Sequence, residues 1–247
     1  LTLSEDDAAA LPRGVAEIEV AAPQLRGGGQ VVFGNSNWST QILGVTPDYL
    51  VAREWEMFSR VPNSGGQASC QQSPGTFAIM RAAQLASWSD ALLESYLTDL
   101  KDATLTGRNL LTEKYGHMMR STAPDEYARI ARLLPVVAPR ALDLIAQIVP
   151  IILAWEVALA RLYPSLMAKG RPIYRSEDRP QVTSLETYLT GELATYSIGT
   201  LELYLAHVEQ QCAEGINGSG ITLACTAKQY GYASLQDANE HLARPAG

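Results

Sequence analysis

The stretch from Leu50 to Gln71, L-V-A-R-E-W-E-M-F-S-R-V-P-N-S-G-G-Q-A-S-C-Q, decides the fold class of this chain. At 100° per residue, its main apolar side chains share one face of an α-helix: Leu50, Met57, Phe58 and Val61. Glu54 falls in the middle of that face. The pattern predicts an amphipathic helix that begins at Thr46 and Pro47 and runs into a glycine-rich turn at Gly65-Gly66.

Helical signals continue after that turn to the end of the chain. Capping residues, prolines at helix starts and helical apolar spacing predict further helices at Pro74–Trp88, Ser89–Leu105, Gly107–Arg120, Pro124–Leu134, Pro139–Tyr163, Ser184–Tyr196, Ser197–Glu214, Ser219–Tyr230 and Ser234–Ala243. We expect Pro150 to kink the longest of them. Residues 164–182 form a polar loop of unusual length and charge for a connector. The predicted class is all-α.

Residues 1–45 differ in texture from the helical body. Glu17–Val20 and Gln30–Phe33 have the pattern of short strands, separated by Gly27-Gly28-Gly29. This segment is therefore expected to be an N-terminal arm or hairpin packed on the helical body.

An internal repeat emerges when the two parts of the helical body are aligned. Trp55-Glu56 recurs as Trp155-Glu156, and at a larger offset Gly107-Arg108-Asn109 matches Gly215-Ile216-Asn217. A slowly growing offset is what loop insertions produce in a duplicated unit. We therefore predict two similar helical halves, 46–135 and 136–247, in one compact unit. Ala154 occupies the position that matches Glu54, which makes the first half the better candidate for chemistry.

Composition excludes several classes of protein. The net charge of −7 and the absence of a basic stripe argue against nucleic acid as a partner. The longest apolar run, Ile148–Ala160, holds Pro150 and Glu156 and is expected to be too short and too polar to span a membrane. Three cysteines without metal-ligand spacing suggest a reducing compartment, and no secretion signal is visible, so we expect a cytoplasmic protein.

Carboxylates on apolar faces are the first candidates for chemistry. Burial raises the pKa of a carboxyl group and makes it a stronger base, so Glu54 is a candidate general base. Glu56 points roughly 160° away on the same helix, towards Arg53 and Arg60, and is a second candidate whose simpler reading is a solvated helix face. Glu156 also lies on an apolar face, where a structural role is the simpler reading.

Cations form the second group of candidates. Arg81 shares a helix face with apolar side chains, which indicates an anion to hold, either Glu54 in an internal salt bridge or a ligand. Arg108 and Lys114 on the next helices add positive charge, as do Arg171 and Arg175 in the polar loop. These five residues are the predicted substrate- or anion-binding set.

Other kinds of site find little support. The turn at Gly65-Gly66 lacks the ending of a phosphate-binding P-loop, and Cys70 is read more simply as a buried thiol than as a nucleophile. His117, His207 and His241 have no paired spacing, so no metal site is expected. No motif for an organic cofactor is found, and none is expected.

Several motifs resemble a helical bacterial and fungal family of unknown function. They include Glu54–Phe58, Gly65–Gln71, Ile79–Arg81, Glu94–Leu97, Gly107–Leu110, Glu113–Tyr115, Ser121–Pro124, Gly170–Ile173, Ser176–Asp178 and Lys228–Tyr232. The resemblance covers roughly residues 50–240 and implies a helical fold, but it brings no established activity.

The chain also looks like a branch of that family, the cofactor-free enzymes of azinomycin- and vazabitide-type pathways. This resemblance implies aziridine closure, in which an amine displaces a neighbouring sulfate. The expected substrate is a small amine-bearing anion, with Glu54 or Glu56 as base and the cations holding the sulfate. The alternative is a non-catalytic binding or scaffold subunit whose buried charges are structural, with a second protein subunit as its partner.

Overall fold

The computed structural model describes residues 4–15, 21, 24–33, 36–45, 47–62, 69–179 and 182–244. Helices dominate, so the predicted all-α class is confirmed. The helices are α1 (Glu5–Gly14), α2 (Pro47–Ser59), α3 (Pro74–Leu85), α4 (Asp90–Leu105), α5 (Leu110–Thr122), α6 (Pro124–Ile130), α7 (Pro139–Leu162), α8 (Pro164–Met167), α9 (Leu185–Leu193), α10 (Ile198–Ala213), α11 (Gly218–Gln229) and α12 (Leu235–Ala243). A hairpin of β1 (Gln24–Phe33) and β2 (Ser36–Val45) precedes α2.

The N-terminal segment contains a hairpin whose strands differ from the predicted ones, and one helix that was not expected. Strands β1 and β2 pair antiparallel, from Gln24 opposite Val45 to Phe33 opposite Ser36. The three glycines 27–29 pair inside β1, where we had expected them to separate two strands. The strand predicted at Glu17–Val20 lies outside the described residues.

Helix α1 begins with a capping box that the sequence analysis overlooked. The Ser4 hydroxyl accepts a hydrogen bond from the backbone N–H of Asp7, and the Asp7 carboxylate accepts one from the backbone N–H of Ser4. Reciprocal capping satisfies two donors that a helix start otherwise leaves unpaired. A four-residue motif of this kind stabilises the start of a short helix even where apolar periodicity is weak.

Most helix starts follow the local rules used in the sequence analysis. Serine side chains cap α4, α9, α10 and α12, and asparagine side chains cap α5 and α11. Proline occupies the first turn of α3, α6, α7 and α8. The predicted start at Gly107 is three residues early, because Gly107, at φ 70°, follows the C-cap of α4 and Asn109 caps α5.

Helix α7 lies at the centre of the body and packs against α8, α9, α10 and α11. It continues through Pro150 as one helix of 24 residues. Its fully buried side chains join one apolar core with residues of α2, α3, α4 and α10: Leu50, Leu85, Leu92, Leu100, Leu144, Ile148 and Leu201. Both predicted halves therefore contribute to the same core, which fixes the relative positions of the helices that carry polar side chains inward.

Helix α7 is also apolar and long enough to cross a membrane. Its mean hydropathy reaches 1.9 over the most apolar window, and 33% of that window is buried in the fold. The expectation that its apolar run is too short was wrong, because the helix extends beyond that run at both ends. A single helix of this kind is weak support for a membrane span, since central core helices meet the same criteria.

Two connections in the body have the same local geometry. Gly107 and Gly215 both have positive φ, 70° and 69°. Asn109 and Asn217 then cap the next helix, and their side-chain amides donate to the backbone oxygens of Met57 and Trp155. These parallels are local, and the internal duplication of the whole body stays a prediction.

Candidate functional site

Four charged side chains from four helices meet inside the body. Glu54 of α2, Arg81 of α3, Lys114 of α5 and Glu192 of α9 form what we call the charge cluster. Arg81 Nε lies 2.5 Å from Glu54 Oε2, and Arg81 Nη1 lies 2.8 Å from Glu192 Oε1. Lys114 Nζ lies 2.5 Å from Glu192 Oε2. The four side chains thus form a row in which anions and cations alternate and the formal charges cancel.

The cluster is fully buried and fully hydrogen-bonded. Glu54 has a relative exposure of 0%, and the other three members are also buried. The hydroxyl groups of Tyr96 and Tyr196 donate to Glu54 and Glu192, at 2.5 and 2.8 Å. Among the described residues, no buried side-chain nitrogen or oxygen lacks a partner. Complete pairing is what allows charges to remain in a low-dielectric interior.

The electrostatics of the cluster favour its ionised form. Burial works against the charge on Glu192, but Arg81 and Lys114 outweigh it and hold the pKa of that carboxyl well below its ordinary value. Burial also opposes the charge on Lys114, and the Glu192 carboxylate outweighs it and raises the pKa of the ammonium group. The pKa of Tyr96 is raised by burial and by the neighbouring Glu54, so its hydroxyl remains a donor.

Aromatic rings surround the cluster on the side of the core. The ring centroids of Tyr96 and Tyr196 lie 4.9 Å apart, and Trp88 contacts both rings and Tyr204. Edge and tilted contacts of this kind are the preferred arrangements of aromatic pairs. They fix the two tyrosine hydroxyls that hold the carboxylates in place.

A cavity of about 830 Å³ lies beside the cluster. Arg81, Lys114 and Glu192 line it, whereas Glu54 does not. Its walls come from α3, α5, α7, α9, α10 and α11, and its rim comes from α8, the following loop and α12. Ligand sites of enzymes are typically concave, mostly apolar and of about 300–1,000 Å³, so this cavity is the candidate binding site.

Two cations contact one aromatic ring of the cavity lining. Lys114 Nζ lies 3.6 Å from the centroid of the Tyr188 ring, and the guanidinium carbon of Arg171 lies 4.7 Å from it. Arg171 Nη1 donates to the backbone oxygen of Thr183, 3.1 Å away. In the described part of the chain, no carboxylate lies within ion-pair distance of Arg171 or of Lys169, which also lines the cavity.

Asp178 holds the loop that follows α8, which carries Arg171, against α5 and α9. Its carboxylate accepts hydrogen bonds from the Ser121 hydroxyl of α5, the Ser184 backbone N–H and the Thr187 hydroxyl of α9, at 2.5, 2.7 and 2.6 Å. Burial raises its pKa, but these donors outweigh burial and lower it. The polar loop is thus held in place with Arg171 at the edge of the cavity.

Glu156 is the carboxylate that faces the cavity without a cationic partner among the described residues. Burial raises its pKa, and a hydrogen bond from the Ser219 side chain opposes that shift. A raised pKa makes a carboxylate a stronger base, which suits general-base catalysis. The apolar-face pattern identified Glu156, but only the cavity distinguishes it from a structural glutamate.

His207 also lines the cavity, and the sequence analysis gave it no role there. Its Nε2 lies 2.8 Å from the backbone oxygen of Ser87. A carbonyl oxygen can only accept, so Nε2 carries the proton, and in the neutral ring Nδ1 keeps its lone pair. A single histidine without sequence spacing to a partner gives no signal that could have found it.

The structure brings together only part of the predicted site. Glu54, Arg81 and Lys114 meet in the charge cluster, which is the internal salt bridge foreseen as one reading of Arg81, and Arg171 lies at the cavity rim. Glu192 joins them, 111 residues from Arg81 along the chain. Its signal was available, because it shares an apolar helix face with other residues of α9 as Glu54 does in α2.

The other three predicted residues lie away from the cavity. Glu56 is 43% exposed and pairs with Arg53 and Arg60, at 2.6 and 2.9 Å. Arg108 forms two hydrogen bonds with Glu113, at 2.9 and 2.6 Å. Arg175 is exposed beside Glu186, at 3.8 Å. No catalytic or anion-binding role is visible in these surroundings, and their assignment stays a prediction.

Metal binding receives no support from the described residues. They contain no group of three or more histidine, cysteine, aspartate or glutamate side chains arranged to hold a metal ion. Cys212 and Cys225 are free thiols. The turn at Gly65-Gly66 and the side chain of Cys70 lie outside the described part.

Comparison with known proteins identifies the family. No curated protein and no solved structure matches the chain. A family model does match, over residues 47–240, which include the charge cluster and nearly the whole cavity lining. The chain therefore belongs to the family described as "Protein of unknown function (DUF4125)".

Proposed function

We propose that the protein is a cofactor-independent enzyme of specialised metabolism that binds a small amine-bearing anion in this cavity. The observation that carries the proposal is that one cavity of about 830 Å³ is lined both by a carboxyl group of raised pKa, Glu156, and by the cations Lys169 and Arg171. A reaction that expels an anionic leaving group needs a base and an anion-binding site close together in a partly closed space.

The specific reaction we propose is aziridine formation by intramolecular displacement of sulfate. The amine nitrogen forms a bond to the neighbouring carbon, the carbon–oxygen bond to the sulfate ester breaks, and sulfate leaves with the bonding electrons. The nitrogen then gives up one proton to a carboxylate. The protein supplies orientation, the proton acceptor and positive charge for the departing sulfate, and no redox step is involved.

The contacts favour other residues for these two roles than the sequence did. Both oxygens of Glu54 already accept hydrogen bonds from Arg81, and Tyr96 donates to one of them, so Glu54 positions Arg81. Glu156 is the better candidate base, because it lines the cavity. Arg171 is the better candidate for binding sulfate than Arg81, whose charge is already balanced by two glutamates.

A minimal amino sulfate tests the proposal. With 2-aminoethyl sulfate as the probe, sulfate release is measured by ion chromatography, together with binding of inorganic sulfate by calorimetry. We expect Glu156→Gln to lower turnover about 10²- to 10⁴-fold, the usual contribution of a positioned base. Arg171→Gln should weaken the binding of sulfate.

Matched controls come from exposed positions outside the cavity. Glu209→Gln in α10 and Arg161→Gln in α7 make the same chemical changes on exposed side chains, and both should behave as the native chain does. The proposal fails if the native chain neither binds sulfate nor releases it from the probe. It also fails if both control variants lose as much activity as the cavity variants do.

One feature favours a non-catalytic subunit of a complex as the second candidate. Leu133 and Val136 lie between α6 and α7, and Leu142 lies near the start of α7; they are 74%, 95% and 50% exposed. Exposed apolar groups of this size often mark protein interfaces. On this reading the charge cluster is structural, and replacing the three residues by serine abolishes complex formation without changing any turnover.

A further inference from the structure

The cavity is much larger than the small amino anion proposed above. At about 830 Å³, the cavity lies in the upper part of the roughly 300–1,000 Å³ range of sites for drug-sized ligands. A simple amino alkyl sulfate, with about eight non-hydrogen atoms, would leave most of that volume to water. The remaining space predicts a further part of the ligand.

Much of the wall of that remaining space is apolar and aromatic, although Glu156, Thr222 and Thr226 also line it. Helices α7 and α11 pack against each other, and both line the cavity, with Trp155 and Leu159 from α7 and Leu223 and Ala227 from α11. Tyr230 follows α11 and lines the cavity while remaining 52% exposed. Displacement of water from apolar surface of this kind favours the binding of a ligand with an apolar part.

The positively charged side chains that line the cavity come from elements other than α7 and α11. Lys169 and Arg171 come from the loop after α8. Lys114 of α5, which is paired with Glu192, and Arg171 both lie against the Tyr188 ring of α9. A guanidinium group has five N–H donors. One hydrogen bond from Arg171, to the Thr183 backbone oxygen, is present within the described structure, which leaves donors for an anion.

We infer that the cavity binds an amphipathic organic anion, with its anionic group at Arg171 and a sizeable apolar or aromatic body against the α7–α11 wall. This inference rests on the proposed function, because it names the class of substrate for the same cavity. The ligand is recognised by the match between a charged rim and an apolar wall. It follows that an inorganic anion alone uses a minor part of the available binding free energy.

A series of n-alkyl sulfates from ethyl to octyl tests the inference by calorimetry at fixed pH and ionic strength. We expect Kd to fall about fourfold for each methylene added, the equivalent of about 0.8 kcal/mol per buried methylene. The heat capacity change of binding should become more negative along the series, as apolar burial requires.

Two variants locate the apolar body. Thr226→Phe places a ring on the cavity face of α11, so the gain in affinity should stop at a shorter chain while ethyl sulfate binds as before. Tyr230→Ala should weaken octyl sulfate and spare ethyl sulfate, and its exposure makes it a safe substitution for folding. Tyr174→Ala is the matched control, since Tyr174 is similarly exposed, at 47%, and does not line the cavity.

The outcomes separate this inference from the proposed function. If inorganic sulfate binds and depends on Arg171, but Kd does not change along the series, the amphipathic ligand is refuted and the anion site survives. Octanol binding as tightly as octyl sulfate also refutes it, because the charged rim would then contribute nothing. If neither sulfate nor any alkyl sulfate binds, both proposals fail.

Discussion

Replacing Glu54 by glutamine should destabilise the fold far more than the same change at Glu56, two residues further along α2. The Glu54 carboxylate accepts hydrogen bonds from Arg81 Nε and Nη2 and from the Tyr96 hydroxyl. A glutamine keeps one acceptor oxygen and turns the other into an NH₂ group, which faces at least one N–H of Arg81. Arg81 would then carry a buried charge balanced by Glu192 alone.

The magnitude follows from burial. Removing one partner of a buried ion pair typically costs about 3–5 kcal/mol, because the remaining charge stays desolvated. At roughly 2–4 °C for each kcal/mol in a chain of this size, Glu54→Gln should lower Tm by about 6–20 °C. Glu56 is 43% exposed in its surface pairs, so Glu56→Gln should change stability by at most about 1 kcal/mol.

Urea denaturation followed by tryptophan fluorescence and circular dichroism measures both variants under identical conditions. The two substitutions remove the same charge from the same helix, so they differ mainly in burial and partners. A Glu54→Gln variant as stable as Glu56→Gln would refute the buried cluster. Abolished turnover with unchanged stability would instead restore the sequence-based reading of Glu54 as a catalytic base.

Three further changes test other parts of the structure. Burial raises the pKa of Glu156, so its ionisation opposes folding as the pH rises above the ordinary glutamate value of 4.5. Urea denaturation at increasing pH above that value should therefore show the stability of Glu156→Gln increasing relative to the native chain. Gly191→Ala places a Cβ 2.7 Å from Met118 Cγ, where α9 packs on α5, and should lower the free energy of unfolding by about 1–3 kcal/mol. The Cβ in Gly199→Ala meets nothing within 4 Å, so this variant should be more stable by about 0.5–1 kcal/mol. Equal melting temperatures of the two variants would contradict the packing. Asn217→Ala removes the cap of α11 and should cost about 0.5–2 kcal/mol by thermal melting, with an unchanged Tm as the contrary result.

The parts of the site that the sequence predicted come from patterns within single helices. An acid on an apolar face, Glu54, and an arginine on another, Arg81, were each visible within two helical turns, and a salt bridge between them was one of two readings. Glu56 was read as pointing towards Arg53 and Arg60, and it does. Glu56 was chosen by residue type, and Arg108 also because Ile216 occupies the matching position of the repeat. Neither criterion says which cavity a side chain faces.

The sequence by itself determined the helical class, most helix starts and the apolar faces, because caps, prolines and helical periodicity act within a few residues along the chain. Only the tertiary structure decided that Glu192 bridges Arg81 and Lys114, 111 and 78 residues away, and that Glu156 faces the cavity while Glu54 does not. These arrangements depend on how helices cross in three dimensions. Crossing angles are set by the packing of whole side-chain surfaces, and no local pattern along one helix records them.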